Sequence, residues 1–201
     1  MHDAATVRLF YFRTLRPGFD AALREIMLPD LRAVPGLAGV WAGRQGPDEV
    51  GARLVVSVWS SREAMRDALG DDPDDGRFHG EYLPEIADRQ LAIMPLVLME
   101  GSPEPLTTGI MRVARGRLLE SDLATYGNLV LSDLAALRTS GAGPNSVVLA
   151  SAGDRAFVMM STWTDWAAIE VATGASASEP LRTERASLAA FQADHYELVE
   201  S

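Results

Sequence analysis

The sequence predicts an α+β fold in which one antiparallel domain is used twice. The first observation is an internal repeat: an apolar strand that ends at Trp59 and runs into a short amphipathic helix returns around Trp163, 104 positions later. That spacing is about half of the 201-residue chain, which is typical of a tandem duplication. Within each half, hydrophobic periodicity predicts the order βαββαβ, known as the ferredoxin-like order. Because a half-covered sheet needs a partner, we expect the two domains to pack as an internal pseudo-dimeric α/β barrel.

The first predicted domain spans residues 1–100 and opens with a strand rich in Val, Leu, Phe and Tyr. Its first helix contains Pro29, which predicts a kink or a break. Pro95 interrupts its last strand and predicts a sheet edge or a bulge there. The predicted strands are 7–14, 37–44, 52–59 and 90–99, and the predicted helices are 19–34, 61–69 and a turn within 77–87.

The second predicted domain, residues 106–201, follows a linker rich in Gly, Ser and Pro at 101–105. A Gly-Asp pair at 153–154 predicts the hairpin turn between its two central strands. The predicted strands are 109–115, 146–152, 156–163 and 192–200, and the predicted helices are 123–137, 165–173 and 182–190.

The residue content excludes several classes of function. The formal net charge of −10 argues against nucleic acid or an anionic membrane as partner, because those partners favour basic patches. All 18 cationic residues are Arg, so Schiff-base lysines and P-loop chemistry are excluded. The chain has no Cys, which excludes thiolate catalysis and Cys-ligated metals. The few histidines show no metal-ligand spacing, so we expect no metal.

Hydropathy and the N-terminal sequence predict a cytoplasmic protein. The first residues do not have the charged and apolar regions of a signal peptide. No apolar run approaches the roughly 20 residues of a membrane span. We expect no membrane partner, and either a monomer with an internal pseudo-dimer or a homodimer.

Two motifs resemble antibiotic biosynthesis monooxygenase (ABM) domains of the dimeric α/β-barrel superfamily. They are Pro-Gly-Leu at 35–37, after the first helix, and Trp-Ser-Ser-Arg-Glu-Ala-Met at 59–65. The resemblance covers most of residues 7–99 and returns in degenerate form over 109–200. It implies a fold more specifically than an activity, since such domains include cofactor-independent oxygenases of aromatic polyketides, haem-degrading oxygenases and proteins with no known activity.

The haem-degrading branch of that family uses an Asn on the first strand, a Trp in the second helix and a His after it. In this sequence the Asn position falls near Tyr11, and the Trp position falls near Ala68 and Ala172. Only His79 lies in the expected region. These departures argue against haem degradation of that type, so we expect no tightly bound cofactor and keep haem as the less favoured option.

Four polar residues of the first domain are candidates for acid–base catalysis and substrate orientation. His79 and Tyr82 share a helix face if that segment is helical, so an imidazole and a phenol can address one ligand. Such a pair suits proton removal from a substrate hydroxyl, which leaves an electron-rich carbanion able to react with O₂. Tyr11 and Arg13 share a face of the first strand, where Arg13 is a candidate oxyanion partner. The alternative is that His79 and Arg13 are ordinary surface residues.

Four further residues are candidates for substrate binding. Trp59 and Trp163 occupy equivalent repeat positions, where core packing and a pocket wall are the two interpretations. Trp41 has no counterpart in the repeat, and packing and pocket lining are equally favoured for it. His195 lies in the last strand near carboxylates and is either a base or a hydrogen-bonded structural residue.

One hypothesis and one alternative follow from these observations. The hypothesis is a cofactor-independent monooxygenase that acts on an aromatic or polyketide-like small molecule, with His79, Tyr82 and Tyr11 as catalytic residues. The alternative is a non-catalytic protein that binds haem or another apolar ligand.

Overall fold

The computed structural model describes residues 4–103, 106, 108–119, 121–182, 184 and 187–199. The chain divides into two compact units. Unit 1 holds the described residues of Met1–Pro95, Pro103–Thr108 and Tyr196–Ser201, and unit 2 holds those of Leu96–Ser102 and Gly109–His195. Each unit is therefore completed by a segment from the other half of the sequence.

Unit 1 follows the predicted βαββαβ order. Its first helical segment continues through Pro29, which lies in the first turn of α2 directly after a π-helical turn. The second helix begins where Ser61 accepts a hydrogen bond from the backbone N–H of Ala64. The elements are β1 (Thr6–Thr14), α1 (Phe19–Ala22), the π-helical turn Leu23–Met27, α2 (Leu28–Arg32), β2 (Leu37–Arg44), β3 (Ala52–Trp59), α3 (Arg62–Leu69), a 3₁₀ helix Gly80–Glu85 and β4 (Ile86–Gly101).

Unit 2 repeats that order with a longer first helix. Asp122 and Asp165 cap the two helices by accepting hydrogen bonds from backbone N–H groups three residues later. The elements are β5 (Ile110–Leu118), α4 (Leu123–Thr139), β6 (Ser146–Gly153), β7 (Ala156–Trp163), α5 (Trp166–Thr173) and β8 (Leu188–Leu198).

The strand pairing confirms the predicted α+β class with antiparallel sheets. β1 pairs with β3 and β4, and β7 pairs with β5 and β6. β4 changes partner beside Pro95: residues up to Pro95 pair with β1, and those from Leu96 onward pair with β6. Within unit 1 the strands pair in the order β4-β1-β3-β2, and within unit 2 β7 lies between β5 and β6.

The helix predicted over 182–190 is wrong for its described residues. Glu184 and Ser187 lie in turns and β8 already begins at Leu188, while positions 183, 185 and 186 lie outside the described residues. The two alanines at 189–190 are good helix formers, and strand pairing overrides that propensity. Within 77–87, the predicted turn is the 3₁₀ helix Gly80–Glu85.

Each unit has its own apolar core on the helix-covered side of its strands. Trp59 packs in the core of unit 1 and Trp163 in that of unit 2. No helix among the described residues is long and apolar enough to cross a membrane.

Candidate functional site

A cavity of about 100 Å³ lies in unit 1 between the strands and the helices that cover them. Aromatic and aliphatic side chains form most of its wall, and the polar groups Arg8, Asp75, His79 and Tyr82 interrupt it. Asp75 is engaged by Arg77, with 3.1 Å between the Arg77 Nε and a carboxylate oxygen. The apolar lining residues are Phe10, Phe12, Phe19, Leu23, Met27, Leu28, Leu31, Val55, Leu69, Pro73, Phe78, Leu83 and Ile86.

Arg8 is the unusual residue of this cavity because it is a buried cation that forms no ion pair with any of the described residues. Its side chain is only 7% exposed, and its Nε has no hydrogen-bond partner among the described residues. The guanidinium lies 4.8 Å from the ring centre of Phe10, a cation–π distance. Burial lowers the pKa of Arg8 to about 10. A free cation in an apolar wall predicts an anionic ligand.

The strand geometry of β1 explains why Arg8 faces the cavity. Alternate residues of a strand point to the same side of a sheet, so Arg8, Phe10 and Phe12 all line it. Arg8 pairs across the ladder with Ser57, which is itself buried and accepts a hydrogen bond from the indole of Trp59. The cation is thus placed by a strand that is paired on both sides.

His79 and Tyr82 come together at the edge of the same cavity, as the sequence predicted. Their ring centres are 6.0 Å apart, and Tyr82 also packs edge-on against Phe19. The His79 ring is held between two carboxylates: its Nε2 lies 3.0 Å from Asp30 and its Nδ1 lies 3.0 Å from Glu81. This hydrogen bond with His79 lowers the pKa of Glu81. Both ring nitrogens are therefore engaged.

Tyr11 and Arg13 do not join that group. Both are odd-numbered residues of β1 and point to the side of the sheet opposite Arg8 and the cavity. Arg13 is about half exposed and forms an ion pair of 2.7 Å with Asp88. The structure therefore brings together two of the three candidate catalytic residues.

Trp59 and Trp163 have equivalent environments. Trp59 is not among the residues that line the cavity of unit 1. Trp59 donates to Ser57 at 2.9 Å and Trp163 donates to Ser161 at 2.8 Å. Both rings are fully buried. Trp163 borders a cavity of only about 10 Å³. Trp41 is also fully buried, and its indole N–H has no hydrogen-bond partner among the described residues.

His195 lies in unit 2, beside α5. Its ring centre is 4.9 Å from that of Trp166, and its Nε2 is buried with no partner in the described part of the chain. Burial, followed by the positive charge of Arg112, lowers the pKa of His195. His195 thus belongs to a different unit from His79 and does not contribute to the cavity of unit 1.

Unit 2 contains a second buried arginine at the repeat position of Arg8. Arg112 is 104 positions after Arg8 and pairs across the ladder with Ser161. Its guanidinium lies 3.5 Å from the carboxylate of Glu184, and both side chains are completely buried. Burial raises the pKa of Glu184, against the opposing charge of Arg112. Burial and the nearby Glu184 charge also raise the pKa of Tyr126.

The sequence reasoning missed Arg8, Arg112 and Glu184. The signal was present in the repeat, because the offset of 104 that aligns the two tryptophans also aligns the two arginines. Arg8 also alternates with two phenylalanines, which marks it as facing an apolar side of the sheet.

No protein-family model matches the chain, and no curated protein matches it significantly in sequence. Solved structures do match it. A proposed monooxygenase from Fusobacterium nucleatum has a TM-score of 0.70 at 10% identity, with 98% of this chain and 93% of that chain covered. An anthrone oxidase-like protein has a TM-score of 0.54 at 15% identity, covering 98% and 92%. A Listeria monocytogenes ferredoxin-fold protein related to antibiotic biosynthesis monooxygenases has a TM-score of 0.53 at 12% identity, covering 98% and 96%.

These similarities show the fold. Each extends over nearly the whole of both chains, so the similarity includes both units and not only one of them. The chain therefore has the fold of ABM-related ferredoxin-fold proteins, as the motifs at 35–37 and 59–65 implied. Identities of 10–15% carry no residue roles from these structures to this chain.

Proposed function

We propose that unit 1 binds a small aromatic molecule in its cavity and oxygenates it with O₂, without a tightly bound cofactor. The observation that carries this proposal is the aromatic cavity that joins a buried free cation, Arg8, to the His79–Tyr82 pair. The names of two structural neighbours, a proposed monooxygenase and an anthrone oxidase-like protein, are in keeping with this proposal.

The proposed reaction converts an activated methylene into a carbonyl. A base removes one proton from the substrate, and the resulting carbanion gives one electron to O₂. The two radicals combine into a hydroperoxide, which loses water. One oxygen atom becomes the carbonyl oxygen, and the other leaves as water with the two hydrogens of the methylene. O₂ is the only oxidant that this balance requires.

The residues of the cavity favour the anionic form of a substrate. The guanidinium of Arg8 lies in an apolar wall, where an electrostatic interaction is stronger than in water. Phe10, Phe12 and Phe19 supply apolar surface for an aromatic ring. Tyr82 is placed to orient a polar group at the cavity edge, and His79 acts as a base once one of its two carboxylate contacts opens.

The second candidate function is non-catalytic binding of the same kind of ligand. It is favoured by the engagement of both His79 nitrogens, because a ring held by two carboxylates presents no free nitrogen to a substrate. The same geometry does not fit haem, since an axial ligand needs a free imidazole nitrogen. We therefore expect haemin titration to give no sharp Soret shift at one equivalent.

Oxygen consumption tests the proposed function. Purified protein is mixed with anthrone in air-saturated buffer, and the rate is compared with that of heat-denatured protein to subtract autoxidation. We expect consumption above that background, together with a carbonyl product. Y82F and H79Q should slow it, whereas R62Q, a change at an exposed residue of α3, should not. Oxygen uptake no faster than the denatured control refutes the proposal and leaves ligand binding as the function.

A further inference from the structure

We infer that the ligand of unit 1 carries a carboxylate that pairs with Arg8. The inference rests on the proposed function only in taking the unit 1 cavity as the site. It goes beyond that function because it assigns a permanent anionic group to the ligand, in addition to any charge formed during a reaction.

The two units give the same arginine two different environments. Arg8 and Arg112 stand at equivalent positions of β1 and β5, opposite Ser57 and Ser161. Both side chains are buried. Arg112 has a carboxylate beside it, whereas Arg8 has none among the described residues.

Glu184 shows what kind of group the chain itself places beside an arginine at this position, although the Nε and Nη1 of Arg112 have no hydrogen-bond partner among the described residues. One of its oxygens lies 3.5 Å from the Arg112 guanidinium and accepts a hydrogen bond of 2.6 Å from the backbone N–H of Leu181. Arg112 also donates to the carbonyl of Glu179 at 3.2 Å and lies 5.1 Å from the ring centre of Phe191. The protein's own chain therefore supplies a carboxylate and an aromatic ring to this cation.

Unit 1 has the aromatic ring of that arrangement, but no carboxylate of its described residues pairs with Arg8, and the Asp75 carboxylate in the cavity wall pairs with Arg77. Phe10 lies under the Arg8 guanidinium as Phe191 lies under that of Arg112. At the repeat offset of 104, position 184 corresponds to Gly80, which has no side chain to offer. The cavity that Arg8 lines has a volume of about 100 Å³, compared with about 10 Å³ beside Glu184 in unit 2.

Physical chemistry favours a permanent charge on the ligand over a transient one. A buried cation without a partner is unfavourable at every moment that the site is empty or holds a neutral molecule. A carboxylate is ionised in water at neutral pH and offers two acceptor atoms to the planar guanidinium. Most of the remaining lining is apolar and aromatic, Asp75 is paired with Arg77, and His79 and Tyr82 lie at the edge, so the ligand class is a small aromatic carboxylate.

Isothermal titration calorimetry with 2-naphthoate and its neutral counterpart 2-naphthamide tests this inference on the full chain. We expect 2-naphthoate to bind at one equivalent per chain and more tightly than 2-naphthamide. Loss of a charge-assisted hydrogen bond corresponds to about a 10- to 100-fold change in affinity, so R8Q should weaken 2-naphthoate by that factor and leave 2-naphthamide within about twofold. R62Q is the matched control, an exposed arginine of the same unit.

A spectroscopic measurement keeps the test decisive if R8Q fails to fold. In the unmodified protein, the NMR resonance of the Arg8 Nε–H should shift on addition of 2-naphthoate and not of 2-naphthamide. Equal affinity for the two probes, or an R8Q variant that folds and still binds 2-naphthoate tightly, overturns the inference. If neutral anthrone is oxygenated while carboxylates do not bind, only this inference fails. If 2-naphthoate binds through Arg8 but no oxygen is consumed, only the proposed oxygenase fails.

Discussion

Replacing Arg8 with methionine should make the ligand-free protein more stable. Burial lowers the pKa of Arg8 from 12.5 to about 10. That difference corresponds to about 3 kcal/mol by which the buried charge of Arg8 destabilises the folded chain. Methionine has an unbranched apolar side chain that fills similar space. The lost cation–π contact with Phe10 offsets about 1 kcal/mol of the gain. A net stabilisation of about 1–2 kcal/mol remains.

Thermal unfolding followed by tryptophan fluorescence measures this change. For a chain of this length, about 1 kcal/mol moves the midpoint by roughly 2–4 °C, so R8M should unfold about 2–8 °C higher than the unmodified protein. The comparison is made without added carboxylates, because an anion bound to Arg8 would stabilise the unmodified protein by mass action.

Arg53 provides the matched contrast. It is another fully buried arginine of unit 1, but its Nε and one terminal nitrogen contact the two carboxylate oxygens of Asp20 at 2.7 and 3.0 Å. R53M leaves a partly buried carboxylate unpaired and should destabilise the protein by about 3–5 kcal/mol. If R8M also lowers the midpoint, Arg8 has a partner in the folded chain and the free-cation reasoning is refuted.

Three further outcomes are expected. E184A should destabilise unit 2 by about 3–5 kcal/mol, because it leaves Arg112 without its carboxylate. Acetate can take the place of that carboxylate, so it should raise the unfolding midpoint of the E184A variant more than that of the unmodified protein. Because the pKa of His195 is lowered, the folded chain binds this proton less tightly than the unfolded chain does, and the free energy of unfolding should fall as the pH drops below 6.5. H195Q should flatten that pH dependence, which urea unfolding curves measure. R13Q should change the unfolding midpoint by less than about 2 °C, because its ion pair with Asp88 is largely exposed.

Most of the fold could be predicted because the determinants are local and occur twice. Runs of β-branched and aromatic residues predicted the strands, and the N-caps Ser61 and Asp165 begin helices close to where the pattern placed them. The segment 182–190 was predicted wrongly because its alanine-rich sequence favours a helix, whereas its place in the sheet is set by pairing with distant strands. Pro29 was predicted to kink or split the first helix, and the segment is indeed divided beside it: the π-helical turn Leu23–Met27 comes directly before α2, whose first turn contains Pro29.

The site was harder to predict because its central residue has no chemical motif. His79 and Tyr82 were found from their type and spacing, and the structure does bring them to one cavity. Arg8 looks like a strand residue of ordinary composition, and only its burial and lack of a partner make it notable. The burial of Arg8 and its lack of a partner cannot be obtained from the sequence of β1 alone. Both depend on the side chains that the helices and residues 70–85 place around it.

In a duplicated chain, however, equivalent positions of the two halves can be compared with each other. Where both halves keep a feature, as with the Trp59–Ser57 and Trp163–Ser161 hydrogen bonds, the feature serves the fold they share. Where one half supplies a partner that the other lacks, the difference marks a change of use. Arg112 lies beside Glu184 in a closed core, whereas Arg8 lines a cavity and has no ion-pair partner in the described part of the chain. A charge that lowers stability is retained most simply when a ligand satisfies it, and so unit 1, and not unit 2, is where binding should be sought.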